Sequence, residues 1–90
     1  MLTLTLNEIA QALINEYWRI ANAYNDAALD DEEKYSGYEI DVCNDCREQL
    51  IGMEKAAQTL GVRLYKSYTA DRYICRVYAE TPSVIFKRDV

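Results

Sequence analysis

The chain contains no histidine. That removes the side chain that most often acts as a general base near neutral pH and most often ligates metals. No Ser-His or Cys-His nucleophile can be assembled from it. Glycine is scarce, at three residues, and no G-x-x-x-x-G-K or G-x-G-x-x-G run occurs. A backbone loop of the kind that cradles phosphates is therefore not expected. No apolar run approaches the roughly 18 residues of a membrane span. The start, MLTLTLNEIA, has no basic segment and no small-residue cleavage site, so no secretory signal is expected and the compartment reads as cytoplasmic. Thiols stay reduced there. Three cysteines, an odd count, also speak against a disulfide framework. These absences point away from an enzyme and imply no cofactor and no membrane partner.

What remains is ordinary globular material in 90 residues, 50% hydrophobic and 28% charged, enough for a single domain over 1–90. A chain of this size buries roughly 60–65% of its extended surface, so the core is thin. Thr5-Leu-Asn-Glu8 reads as a capping box. Leu6, Ala10, Leu13, Tyr17, Ile20, Tyr24 and Ala27 then recur at alternating spacings of four and three, with Ile9, Ile14 and Ala21 widening the stripe. This predicts a helix over about 6–29. DDEEKYSG follows, and its four consecutive acids predict a solvated connection. Ser36-Gly-Tyr-Glu39 is a second capping box, and Cys43, Cys46, Leu50, Met53, Ala57 and Leu60 mark the seam of a helix over about 37–60. Gly61 and Val62 supply its stop signal.

The period then changes to two. VRLYKSYTADRYICRVYAE, rich in Tyr, Val and Ile, predicts a hairpin over 62–79, with strands at about 62–68 and 73–79. Pairing Tyr68 with Tyr73 aligns Lys66 with Cys75, Leu64 with Val77 and Val62 with Ala79. It gathers Val62, Leu64, Cys75, Val77 and Ala79 on one face. After Pro82, residues 83–88 read as an edge strand. The expected class is α+β: an N-terminal antiparallel helical hairpin packed on a small two- to three-stranded antiparallel sheet.

Cys43 and Cys46 form a C-x-x-C pair, but both fall on the helical seam, and Cys75 falls on the inward side of its strand. Free cysteines of this kind behave as small buried hydrophobes. Zinc needs four ligands, and three thiols without an imidazole fall short unless Asp41 or Asp45 completes the set. A redox pair needs its first thiol at a helix N-terminus, and Cys43 lies beyond the first turn after Ser36. The reading is packing, with no metal, and a small metal or redox domain is the less favoured alternative.

Charge is unevenly spread. Residues 1–61 hold 12 acids and 4 bases, and residues 62–90 hold 3 acids and 6 bases. Asp30, Asp31, Glu32 and Glu33 form the centre of the acidic half, a surface for a basic partner. In the basic half, Arg63, Tyr65, Ser67, Ile74, Arg76 and Tyr78 face away from the core, with Tyr65 expected opposite Arg76 and Arg63 opposite Tyr78. Tyr and Arg are the residue types that dominate binding hot spots. Aromatics interleaved with bases also suit single-stranded nucleic acid, the alternative function, but a net charge of −5 opposes binding to phosphate. In size, acidity and lack of catalytic residues the chain is similar to the small acidic accessory proteins of phages and mobile elements, including anti-CRISPR proteins. That resemblance implies an inhibitor or adaptor of a basic or nucleic-acid-handling protein. The candidate contact residues are Asp30, Asp31, Glu32, Glu33, Arg63, Tyr65, Arg76 and Tyr78, and a homodimer stays open.

Overall fold

The computed structural model describes the backbone of residues 4–33, 37–71 and 73–90 and the side chains of residues 4–28, 44–71 and 73–90. It contains helices α1 (Leu6–Glu33) and α2 (Gly37–Thr59) and strands β1 (Arg63–Tyr68), β2 (Ile74–Glu80) and β3 (Ile85–Asp89). The strands form one antiparallel sheet in the order β1-β2-β3, so the class is α+β.

Helix α1 begins where the capping box places it. The Glu8 amide donates to Thr5 Oγ1 at 3.2 Å, and the Thr5 amide donates to Glu8 Oε1 at 3.1 Å. The helix does not stop near Leu29. It continues to Glu33, so Asp30–Glu33 form its last turn rather than a connection, with no base among them. A solvated helix end propagates from packed turns upstream, and glutamate is a good helix former, so a run of acids does not by itself end a helix. Of the second capping box, Ser36 and the Glu39 side chain lie outside the described residues. The end of α2 follows the expected stop. Gly61 adopts φ 89°, its amide bonds the Gln58 carbonyl at 3.1 Å, and the Val62 amide reaches back to the Ala57 carbonyl at 2.9 Å. These two bonds are a Schellman motif.

On α1 the buried stripe is Ala10, Ile14, Tyr17, Ile20, Ala21, Tyr24 and Ala27, while Leu6, Ile9 and Leu13 are only partly covered. On α2, Cys46, Leu50 and Ala57 are buried and Met53 partly so. Leu60 departs from expectation at 54% exposed. It follows the last helical residue, where the chain swings into the left-handed Gly61 and the seam no longer points at the core. Apart from Ala27 and Leu60, these helix residues form one cluster, or pack against it, with Val62, Leu64, Ile74, Val77 and Ala79 of the sheet region.

Apart from Ile74 and Cys75, the hairpin has the expected faces, in a different register. Arg63 pairs with Glu80, Leu64 with Ala79, Tyr65 with Tyr78, Lys66 with Val77 and Ser67 with Arg76, two residues from the expected alignment. Thr69 and Tyr73 close the hairpin through a 2.7 Å bond, which moves the pairing by one. A bulge that leaves Cys75 without a counterpart between the Ser67–Arg76 and Tyr68–Ile74 pairs moves it by one more. The bulge also corrects the expected faces of Ile74 and Cys75: Ile74 is buried and Cys75 only half-buried. Asn25 of α1 holds this distortion in place. Its Nδ2 donates to the Ile74 carbonyl at 2.8 Å, and its Oδ1 accepts from the Ile74 amide at 2.9 Å.

Strand β3 begins at Ile85, because Thr81–Val84 are used as a turn closed by the Thr81 amide on the Val84 carbonyl at 2.9 Å. It is tied to α1. Trp18 Nε1 donates to the Asp89 carbonyl at 2.6 Å, and the Arg88 guanidinium lies 3.7 Å from the Trp18 ring centroid while donating to Asn15 Oδ1 at 2.8 Å.

Candidate functional site

The sheet has a face that the core does not use. Strand alternation puts Arg63, Tyr65 and Ser67 of β1, Arg76, Tyr78 and Glu80 of β2, and Ile85, Lys87 and Asp89 of β3 on that side. The pairings arrange them in three rows: Arg63–Glu80–Ile85, Tyr65–Tyr78–Lys87 and Ser67–Arg76–Asp89. Arg63, Tyr65, Arg76 and Tyr78 thus share one face, as the sequence suggests, but with new neighbours. Tyr65 opposes Tyr78, not Arg76, and Arg63 opposes Glu80, not Tyr78.

The central row carries the aromatic surface. The Tyr65 and Tyr78 rings are stacked, with centroids 4.6 Å apart and planes 7° from parallel. That separation is close to the spacing of adjacent strands, so the rings stand side by side and turn their faces to one another. The Arg63 guanidinium lies 5.0 Å from the Tyr65 centroid. Ion pairs frame the stack. Arg76 Nε meets Asp89 Oδ1 at 2.7 Å, and Arg63 Nη1 stands 3.8 Å from Glu80 Oε2. The Asp89 carboxylate, and after it the Tyr78 hydroxyl, raise the pKa of Arg76 above its ordinary value. Ile85, an exposed large hydrophobic, and Lys87 complete the face. The alternation of Ile85, Lys87 and Asp89 could have assigned these residues once the third strand was placed; Glu80 needed the register.

Asp30, Asp31, Glu32 and Glu33 belong to the last turn of α1, and their side chains lie outside the described residues. The Cys43 side chain lies outside them as well. Cys46 is buried on α2, and Cys75 is half-buried with its thiol 3.3 Å from Ser67 Oγ. Among the described residues, no group of three or more His, Cys, Asp or Glu side chains is placed to hold a metal ion. No described helix is long and apolar enough to cross a membrane.

Sequence reading misses a second polar cluster, on the inner side of the sheet. Lys66 Nζ bonds Glu54 Oε2 at 2.9 Å and stands 3.4 Å from the Tyr17 hydroxyl. It also lies 5.9 Å from both the Tyr17 and the Tyr68 ring centroids. Burial, and then the Glu54 carboxylate, push the Tyr17 phenol well above its ordinary pKa. The cluster joins β1, α2 and α1 and has no open space for a reacting molecule at the fully buried Tyr17.

No family model, curated protein or solved structure matches this chain.

Proposed function

We propose that the protein is a non-enzymatic, cytoplasmic interaction module, an inhibitor or adaptor of the phage or mobile-element kind, that binds a protein partner through the outer face of its sheet. In this reading α1 and α2 form an antiparallel hairpin that backs the sheet, and the outer face is left for the partner. The acidic turn Asp30–Glu33 steers a basic or nucleic-acid-handling partner towards the molecule.

The observation that carries the reading is the stacked Tyr65–Tyr78 pair framed by two ion pairs. Rings stacked against each other, with Arg76 hydrogen-bonded to Asp89 and Arg63 laid over Tyr65, make a pre-arranged surface that has less rotamer entropy to lose on binding. The same geometry disfavours the nucleic-acid alternative. A base stacks on an open ring face, whereas Tyr65 and Tyr78 spend faces on each other, and Arg63 and Arg76 already neighbour carboxylates. The test is affinity capture with the wild-type chain beside Tyr65→Ala/Arg76→Ala, both shown folded by circular dichroism. Proteins retained by the first and lost by the second support the reading. An identical captured set, or capture of nucleic acid alone, would sink it.

A further inference from the structure

We propose that the free edge of β1 binds an extended, uncharged peptide segment of a partner protein as a fourth strand, with the segment's side chains entering the groove beside that edge. This site shares Arg63 and Glu80 with the outer face but uses the strand edge and the groove rather than the Tyr65–Tyr78 stack, so its test is independent of that stack.

The two edges of the sheet differ. At β3 the Asp89 carbonyl is taken by Trp18, and Arg88 is laid across the same ring. β1 is the other edge and, among the described residues, pairs only with β2. The Thr69 amide bonds Tyr73 across the hairpin. Strand alternation from that point turns the backbone groups of Ser67, Tyr65 and Arg63 towards β2 and those of Leu64 and Lys66 towards the open edge. Charged side chains commonly guard such edges. Here both cations of β1 are engaged within the molecule: Lys66 lies beneath the sheet on Glu54, and Arg63 lies over Tyr65 and beside Glu80. Unpaired amides and carbonyls in a row are complementary to another extended backbone.

The groove sets the chemistry of the occupant. It holds about 680 Å³ between one stripe of α2 (Ile51, Glu54, Lys55 and Gln58), the start of β1 and the turn after β2. Its charges balance, Glu54 and Glu80 against Lys55 and Arg63, so no net charge is demanded of the segment. Ile51 in its wall, Leu60 just before β1 and Tyr68 at the end of β1 are among the exposed large hydrophobics. They favour apolar side chains at alternate positions of the added strand.

The probe is a capped eight-residue peptide of alternating threonine and valine, N-methylated along one edge so that it cannot assemble with itself. Its control is methylated along both edges. We expect saturable binding of the first peptide, with amide exchange at Leu64 and Lys66 slowed roughly tenfold or more, and the control weaker by at least about tenfold. Ile51→Glu, at an already exposed position, should weaken the first peptide severalfold. Equal binding of both peptides would reduce the site to apolar adsorption and overturn the proposal. So would no binding at about 1 mM peptide, protection confined to β3, or a concentration-dependent dimer protecting the same amides without peptide. The last result would assign the edge to a second copy of the chain.

Discussion

Lys66 and Glu54 form a 2.9 Å ion pair beneath the sheet, with side chains only 13% and 29% exposed. Its Coulombic gain is offset by the cost of taking both charges out of water. Losing one partner is worse than losing both, because a lone charge stays behind. Lys66→Met retains the aliphatic stem and should cost roughly 1–3 kcal/mol. Adding Glu54→Gln removes the stranded carboxylate and should restore more than half of that loss. Urea denaturation of the two single variants and the double closes the cycle; additive losses would show that the pair is uncoupled.

The Tyr17 phenol gives the fold an alkaline limit. Its folded pKa is raised, first by burial and then by Glu54. A raised pKa means that the contribution is complete below the unfolded value of about 10 and is lost as pH climbs above it. There the unfolded chain releases a proton that the folded chain retains, which costs about 1.4 kcal/mol per pH unit. Tyr17→Phe lacks this proton. It should be the less stable protein at pH 8, and its stability curve should converge on the wild type above pH 10. Parallel curves from pH 8 to 11 would mean that the phenol ionises equally in both states.

Asn25 is the support of the β2 bulge. Asn25→Ala leaves the Ile74 amide and carbonyl without their side-chain partner, and Ile74 itself is almost wholly buried. A loss of about 2–3 kcal/mol is expected, with amide exchange accelerating first at Ile74. A variant that keeps both its stability and the Ile74 protection would show that the bulge is fixed by strand pairing alone.

Elements whose signals are local were legible in the sequence. Thr5 with Glu8, and Gly61 with Val62, each satisfy backbone groups within a few residues, so their types alone reveal them. Away from the bulge, where Ile74 and Cys75 exchange their expected sides, the hairpin faces were legible because a slip of two residues preserves which side each residue takes. For the same reason the register was not: hydrophobic alternation cannot tell the expected pairing from the observed one, and the Cys75 bulge has no glycine or proline to announce it. Lys66 was hidden because its partners, Glu54 and Tyr17, come from two helices. The seam of α1 was found but its centre was misplaced. Leu50 is buried, so Leu50→Ala should cost about 2–4 kcal/mol by denaturant titration. Leu13, which is only partly covered, should cost distinctly less, and equal losses would contradict that ranking. On the outer face, Arg63, Tyr65, Arg76 and Tyr78 came from the alternation, and the Tyr65–Tyr78 stack came only with the register.

The acidic end of α1 separates two roles that charge could play. Asp30, Asp31, Glu32 and Glu33 make up the last turn of a helix that has no base there. Carboxylates at a helix C-terminus oppose the macrodipole, and cations favour it. Changing all four to lysine should therefore leave the melting temperature unchanged or slightly raised, by an amount that salt screens. Binding should respond in the opposite sense. If these acids steer the partner, association of the lysine variant with the captured protein slows, most of all at low ionic strength, where the Debye length is long. Dissociation changes less, because steering acts on encounter. Tyr65→Ala with Arg76→Ala should show the reverse pattern, with dissociation accelerated and association little altered. Surface plasmon resonance at two salt concentrations reads both rates. An association rate that survives four charge reversals at low salt would remove the acidic turn from the mechanism and leave binding to the sheet.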